Sequence, residues 1–249
     1  MKPEETSVTG VLVTGKTPER YPLARCAVHA WVHQDYAGPR QLLVINDHPT
    51  EALFPEPKDL PIHVHEIRLQ GQSGKRFTLG ELRNVGIDAA QGDYIVQWDD
   101  DDFSHPQRLK WQVERTKQDS ASIFLWEVHC DLLTRQAFAN NGQEIRTRGF
   151  PGTMLWPKAA EARFPSIPRA EDTEFLLELR KSVGLDILDN PPCLYFRCYH
   201  GHNTWDQKFV MKRKRGSRDL DQEELLYVQA LLDNEPHKSV VEKLRAEAH

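Results

Sequence analysis

Short apolar runs alternate with segments of helical spacing along most of the chain. Runs rich in β-branched and aromatic residues predict strands, and apolar residues three or four positions apart predict helices. This alternation is typical of a mostly parallel central sheet flanked by helices, so we predict an α/β fold. The predicted strands are Val8–Thr14, Gln41–Ile45, Ile62–Leu69, Tyr94–Trp98, Ser122–Val128, Thr153–Trp156 and Leu194–Tyr199. The predicted helices are Leu23–Trp31, Leu79–Ala90, Pro106–Lys117 and Glu171–Val183.

The C-terminal part of the chain has a different composition. Lys208–Arg218 contains six basic residues and no acid, and the sequence from Asp219 onward has the pattern of an acidic amphipathic helix. We therefore predict one domain over residues 1–206. An appendage over residues 207–249 follows it and consists of the basic segment and a helical tail.

Composition and charge narrow the class of protein. The formal net charge of −5 argues against a protein that mainly coats nucleic acid, because such domains are usually basic. No apolar run approaches the ~18 residues that cross a bilayer, and the residues after Met1 lack the apolar stretch of a secretory signal. The cysteines show no C-x-x-C spacing, so we expect reduced, mostly buried thiols and a cytoplasmic protein. They are Cys26, Cys130, Cys193 and Cys198.

Residues 10–17 match the phosphate-loop pattern G-x-x-x-x-G-K-[ST]. In a phosphate loop the residues between the glycines form an open turn whose amides face phosphate. Here they are Val11 to Thr14, which form the end of a predicted strand, and Pro18 follows closely where a long helix would begin. We therefore reject the motif as the main site and keep nucleotide hydrolysis at Lys16 as an alternative.

Four consecutive carboxylates, Asp99–Asp102, follow the apolar strand Tyr94–Trp98. One interpretation is a solvated acidic loop that caps the helix predicted from Pro106. The other is a ligand site, because α/β folds bind ligands at the carboxyl ends of their parallel strands. Clustered carboxylates repel one another unless a cation offsets them, and their oxygens suit Mg²⁺ or Mn²⁺ holding a diphosphate.

Five segments, in order along residues 8–205, resemble glycosyltransferase family 2, the inverting enzymes with the GT-A fold. Tyr94–Pro106 resembles the family's strand, D-x-D metal motif and following proline, and Leu82–Asp93 resembles the segment before that strand. The others are Asn46-Asp47, similar to the nucleotide-binding turn, Glu171-Asp172, similar to the "ED" pair, and Tyr199–Thr204, similar to the C-terminal histidine segment. The resemblance implies a sugar transferase that uses a nucleotide-sugar donor, most commonly a UDP-sugar, and Mn²⁺ or Mg²⁺.

The resemblance also implies a role for individual residues. Asp172 matches the base that removes the proton of the acceptor hydroxyl, and the first turn of a helix favours its ionised form. The implied metal ligands are Asp101, Asp99 and His200. The residues implied on the donor side are Thr14, Asn46, Asp47, Arg83, Asp99 and Asp100. Those implied on the acceptor side are Gly152, Glu171 and Trp156.

Other interpretations of these segments stay open. Glu171 and Asp172 are also ordinary acids for a helix N-terminus, and Gly149–Trp156 is also a plain turn before a buried strand. The basic run Lys208–Arg218 is either a solvated face or a contact for phosphate backbones or an anionic membrane surface. The acceptor is accordingly a glycan, a glycolipid or a nucleic acid, including a base in DNA.

Overall fold

The computed structural model describes residue 2 and residues 4–15, 18–69, 77–203 and 216–248. Within these ranges the chain forms eleven strands, β1 to β11, which are divided between two sheets, and the α-helices α1 to α6. The strands are β1 Val8–Thr14, β2 Arg40–Asn46, β3 Val64–Arg68, β4 Tyr94–Gln97, β5 Phe103–Ser104, β6 Ala121–Phe124, β7 Trp126–Asp131, β8 Ala137–Asn141, β9 Phe150–Pro157, β10 Leu185–Leu188 and β11 Tyr195–Tyr199. The helices are α1 Tyr21–Val32, α2 Leu79–Ala89, α3 Arg108–Arg115, α4 Glu171–Leu179, α5 Gln222–Asp233 and α6 His237–Glu247.

The central sheet has the strand order β10-β6-β9-β4-β1-β2-β3. All of its pairs are parallel except those of β9, which runs antiparallel to both β4 and β6. One face is covered by α1 and α3, and the other by α2 and α4, each through a buried apolar cluster. The predicted mostly parallel sheet flanked by helices is therefore confirmed.

Local sequence explains where two of the flanking helices begin. The hydroxyl of Thr78 accepts a hydrogen bond from the backbone of Glu81, whose carboxylate accepts one from the backbone of Thr78. This capping box starts α2 where the spacing predicts it. The structure extends the predicted first helix to Tyr21–Val32, with Pro22 in its first turn, where the missing amide proton costs no hydrogen bond.

A second, smaller sheet has the order β5-β11-β7-β8. The sequence predicts a single strand over Ser122–Val128, and the structure instead has two, β6 and β7, separated at Leu125. β6 belongs to the central sheet and β7 to the second sheet, so the chain passes between sheets at this break. The apolar face of the second sheet packs on α1, α5 and α6 through one buried cluster.

The C-terminal helices α5 and α6 pack into that cluster through Val228, Leu232 and Val241, which are buried beside Leu23 of α1. The apolar sides of these two amphipathic helices thus pack against α1 and the second sheet. The predicted boundary between residues 206 and 207 lies outside the described residues and stays a prediction. In the described ranges, no helix combines the length and the apolar character needed to cross a membrane.

Candidate active site

The acidic run follows β4 at the edge of the central sheet where the parallel strands end. β4 lies between β1 and β9, so its C-terminal end faces the loops that follow β1 and β2. Asp99 accepts hydrogen bonds from the side-chain amide of Gln97 at 3.0 and 3.1 Å and from Arg83 at 3.0 Å. The structure therefore holds the first acid of the run in a defined orientation instead of leaving it in a solvated loop.

Arg83 connects the acidic run to the start of α4. Its side chain is buried, and its second terminal nitrogen donates to Glu171 at 2.6 Å. Burial raises the pKa of Glu171, and the neighbouring Asp172 adds to the increase, whereas Arg83 opposes it. Asp172 is half-buried, and its carboxylate accepts the backbone N–H of Thr173 at 2.6 Å. The predicted donor-side residue Arg83 and Glu171 of the predicted acidic pair thus share one ion-pair network, and Asp172 lies beside it.

Arg20, which sequence reasoning did not single out, binds two acids of the run. It lies in the 3-10 turn Pro18–Arg20 just before α1, and it forms ion pairs with Asp100 and with Asp101, the latter at 2.6 Å. Burial raises the pKa of Asp100 to about 7, against the lowering effect of Arg20 and of nearby Thr14. For Asp101 the positive charge of Arg20 and the contact with His200 outweigh burial and hold the pKa below its usual range. The only sequence signal for Arg20 is a basic residue in the loop after β1.

β11 and the residue after it complete the other side of the acidic run. Asp102 accepts the backbone N–H of Cys198 at 2.9 Å and the hydroxyl proton of Tyr195. The Nε2 atom of His200 lies 3.2 Å from Asp101. The predicted metal ligands Asp101 and His200 are therefore brought together, although 99 positions separate them in the chain.

The predicted nucleotide side lies at the ends of β1 and β2. Thr14 pairs with Asn46 in the strand register, and the backbone N–H of Asp47 donates to the carbonyl of Thr14 at 3.2 Å. The amide of Asn46 is buried and occupied by Glu66, at 2.7 Å, and by backbone groups. Gly15 has φ 105°, and a Cβ there would lie 2.1 Å from Asn46 Oδ1. This turn therefore requires glycine.

The predicted acceptor-side residues occupy different environments. Gly152 lies in β9 against the acidic run, since a Cβ there would lie 3.2 Å from Asp99 Oδ2. Trp156 is buried in the core, where its ring packs on Phe164 and Phe175 with centroid separations of 6.2 and 5.1 Å. Gly152 and Glu171 thus adjoin the acidic run, whereas Trp156 contributes apolar packing beneath it.

The residues available for a metal ion are Asp101 and His200. Within the described ranges, no three histidine, cysteine or acidic side chains already surround a common point. The Nδ1 atom of His200 is buried and has no hydrogen-bond partner among the described residues. The ring nitrogen that faces Asp101 is Nε2, and an imidazole nitrogen and a carboxylate oxygen side by side are donors that fit a divalent ion whose remaining ligands are phosphate oxygens and water. Asp99 is close by but is engaged by Arg83 and Gln97.

Several sequence predictions fall wholly or partly outside the described residues. Lys16 and Thr17 of the phosphate-loop pattern do so, but Gly10–Thr14 of that pattern lie within β1. A Cβ at Gly10 would lie 2.6 Å from the ring of Trp31, so this glycine is required by packing. Thr204 and most of the basic run also lie outside, and only residues 216–218 of that run are described.

The fold and the arrangement of acids define a GT-A type domain. The sequence profile of glycosyl transferase family 2 matches residues 20–153, more than half of the chain. The chain belongs to this family. No curated protein matches it.

The fold is similar to that of S. aureus TarS, residues 1–349. One structure of that protein matches with a TM-score of 0.55 and 15% identity, covering 90% of this chain and 69% of that one. Its complex with UDP matches with a TM-score of 0.56 and 14% identity, covering 97% and 70%. Its complex with UDP-GlcNAc matches with a TM-score of 0.55 and 14% identity, covering 97% and 71%. At this level of identity the similarity establishes the fold.

Proposed function

We propose that the chain is an inverting glycosyltransferase that moves a hexosyl group from a nucleoside-diphosphate sugar to an acceptor hydroxyl. The observation that carries the proposal is one network at the carboxyl edge of the sheet. It links Asp99 through Arg83 to the acidic pair at the start of α4. Membership of glycosyl transferase family 2 supports the reaction class. The TarS complexes with UDP and UDP-GlcNAc support a UDP-sugar as the donor.

Asp172 is the proposed catalytic base. Inverting transfer needs one carboxylate that removes the acceptor proton as the acceptor oxygen attacks the anomeric carbon. Asp172 is half-buried at the first turn of α4, where the partial positive charge of the helix favours an ionised carboxylate. Glu171 is committed to Arg83, so Asp172 is the better candidate of the two for the proton. The residues proposed to place the acceptor are Gly152 and Glu171, and Trp156 supports them by packing in the core beneath.

The donor would lie across the ends of β1, β2 and β4. The residues proposed to contact it are Thr14, Asp47, Arg83, Asp99 and Asp100, while Asn46 holds the turn at the end of β2 from its buried position. Asp101 and His200, with Asp99, would hold Mn²⁺ or Mg²⁺. When bound, the ion would supply Lewis-acid stabilisation for the charge that develops on the departing diphosphate. In this structure Arg20 forms ion pairs with both Asp100 and Asp101, so it must release Asp101 when an ion binds there.

A donor-hydrolysis assay tests the proposal directly. Purified protein is incubated with a panel of nucleotide sugars and Mn²⁺, and release of free nucleotide is followed with and without EDTA. We expect EDTA-sensitive release from one UDP-sugar, loss of release in Asp101→Ala, and no loss in Asp88→Ala, an exposed acid paired with Arg163. Silence across the panel, with no thermal stabilisation by any nucleotide plus metal, would contradict the proposal.

The alternative of nucleotide hydrolysis is tested by measuring ATP binding to one variant, purified in the same way as the wild type. Phosphate-loop chemistry predicts that Lys16→Ala abolishes ATP binding. We expect instead that Lys16→Ala leaves ATP binding as weak as in the wild type.

A further inference from the structure

The second sheet presents a polar face as well as an apolar one. Alternate residues of a strand project to opposite faces, so Phe196 and Cys198 of β11 enter the apolar cluster while Arg197 lies on the other face. In the strand register, Arg197 lies opposite His129 of β7, and Glu127 of β7 lies opposite Asn140 of β8. Charged and polar side chains from all three strands therefore meet on one face, outside the residues assigned so far.

These side chains form a connected, buried set. The Nε atom of Arg197 donates to Glu127 Oε1 at 3.1 Å, and the same oxygen lies 2.7 Å from Nε2 of His129. The carboxyl side chain of Glu127 is 0% exposed and that of His129 is 1% exposed, whereas Arg197 is 30% exposed. Asn140 packs behind His129, with its Nδ2 atom 3.1 Å from the ring nitrogen. Glu127 and His129 thus form a buried support, and the side chain of Arg197 extends from it toward solvent.

Glu127 stays ionised in this setting. Burial raises the pKa of a carboxyl group, but the Arg197 guanidinium and the hydrogen bond with His129 outweigh that effect and hold the pKa of Glu127 below its usual range. A buried carboxylate is costly unless a cation pairs with it, so the pair favours one fixed position of the guanidinium. Glu127 and His129 therefore orient Arg197.

The free end of Arg197 lies beside the acidic run. A Cβ at Gly152 would lie 2.9 Å from Arg197 Nη2, 3.0 Å from the hydroxyl of Tyr195 and 3.2 Å from Asp99 Oδ2. These three groups, two from β11 and one from the acidic run after β4, thus converge on the same glycine. Among the described residues, neither terminal nitrogen of Arg197 has a hydrogen-bond partner. A guanidinium with its terminal edge available can donate two parallel hydrogen bonds to a phosphate group.

We propose that Arg197 binds the diphosphate of the nucleotide-sugar donor, and that Glu127 with His129 positions it for this contact. The inference rests on the proposed function. In the transfer, the acceptor oxygen bonds to the anomeric carbon and its proton passes to Asp172. The bond from that carbon to the diphosphate oxygen breaks with its electron pair on the oxygen. Arg197 would donate to the oxygens that gain this charge.

Calorimetric titration with UDP and with uridine, both in Mn²⁺, tests the assignment. Uridine carries the base and ribose but no phosphate, so the difference between the two ligands reports contacts with the diphosphate. We expect Arg197→Gln to weaken UDP binding about 10- to 100-fold, the usual range for loss of a charge-assisted contact, and to leave uridine binding unchanged. Arg197→Lys would recover only part of the loss, because an ammonium lacks the planar pair of donors.

A matched control separates this effect from a general loss of positive charge. Arg135→Gln removes an arginine from the turn between β7 and β8, one that pairs with Asp233 on the surface, and it should bind UDP as the wild type does. Equal UDP affinity in Arg197→Gln and the wild type would overturn the inference and leave the proposed function intact. A wild-type protein that binds neither UDP nor any other nucleoside diphosphate would overturn both.

The double variant Glu127→Gln/Arg197→Gln tests the positioning part and guards against a folding defect. Arg197→Gln alone leaves Glu127 buried without its cation, and the double variant removes both charges. We expect the double variant to bind UDP as weakly as Arg197→Gln and no more weakly, because Glu127 acts through the arginine. A double variant that binds UDP more weakly than Arg197→Gln would show that Glu127 does not act through Arg197. Recovery of wild-type affinity in the double variant would overturn the inference.

Discussion

Arg83 Nη1 lies 2.6 Å from the carboxylate of Glu171, although the two residues are 88 positions apart in the chain. The other terminal nitrogen of the same guanidinium lies 3.0 Å from Asp99. One buried arginine of α2 therefore ties the acidic run after β4 to the first turn of α4. A single side chain thus fixes the acidic run relative to the helical turn that carries the proposed base, Asp172.

This relationship makes Arg83 important for folding as well as for activity. Arg83→Met would leave two carboxylates in the network without their cation, and breaking a buried pair in this way costs about 3–5 kcal/mol. We expect a loss of that size in the free energy of unfolding, measured by urea titration. The double variant Arg83→Met/Glu171→Met should recover part of it. A change of less than about 1 kcal/mol in the single variant would contradict the network.

The catalytic role of Asp172 predicts a loss of turnover without a loss of donor binding. Removing a general base typically costs about 10²- to 10⁴-fold in rate. We expect Asp172→Asn to lower kcat by that factor with the donor found in the panel, and to leave UDP affinity unchanged. Glu174→Gln, two positions along the same helix, serves as the control and should retain wild-type kcat. Wild-type kcat in Asp172→Asn would exclude it as the base.

The ion pairs of Arg20 predict that its side chain competes with a metal ion for Asp101. It pairs with Asp100 and Asp101, so its positive charge offsets theirs in the absence of an ion. We expect Arg20→Gln to bind Mn²⁺ about tenfold more tightly than the wild type, measured by calorimetry without donor, because the carboxylates lose their competing cation. Arg25→Gln in α1 should not change Mn²⁺ affinity. An unchanged or weaker affinity in Arg20→Gln would show that Arg20 does not compete for the site.

Gly152 predicts an effect of a single methyl group. The added Cβ would lie about as close to Arg197, Tyr195 and Asp99 as hydrogen-bonded atoms lie to one another, so these side chains must move. We expect Gly152→Ala to fold and to lose about tenfold or more in UDP affinity or kcat, because displaced contacts in a site of this kind are costly. Donor hydrolysis and UDP titration measure the effect. Wild-type values in both assays would show that this glycine is not needed for the geometry of the site.

His237 predicts a pH dependence of stability outside the site. Burial lowers its pKa to about 4, helped by the nearby His29, and its ring packs on Phe103. Between the unfolded pKa near 6.5 and the folded value, the unfolded state binds the proton better, so stability falls as the pH falls. We expect His237 to account for a loss of about 2 kcal/mol between pH 7 and pH 5. His237→Phe, compared by urea unfolding at both pH values, should lack that part of the loss.

Most of the central sheet was predictable, because strands such as β1, β2 and β4 are continuous apolar runs, but the pattern did not predict β10. β1 has the bounds that the pattern predicts, β2 is longer than predicted by one residue at each end, and β4 is shorter by one residue at its C-terminal end. In the second sheet the pattern predicted β11 to within one residue, but it did not predict β5 or β8 and did not separate β7 from β6. Its strands carry buried polar residues such as Glu127, His129 and Asn140 on one face, so the pattern lacks the contrast that distinguishes a buried strand from a loop.

The sequence by itself determined most elements of the central sheet and its flanking helices, and the acids of the site. Both are local features: periodic apolar residues, a contiguous run of carboxylates and an acidic pair at a helix start. Only the tertiary structure decided which cations meet those acids. Arg20 and Arg83 come from different elements, and Arg197 lies on a strand of another sheet. No spacing along the chain encodes these contacts, because packing of distant elements creates them and burial then makes each pairing energetically necessary.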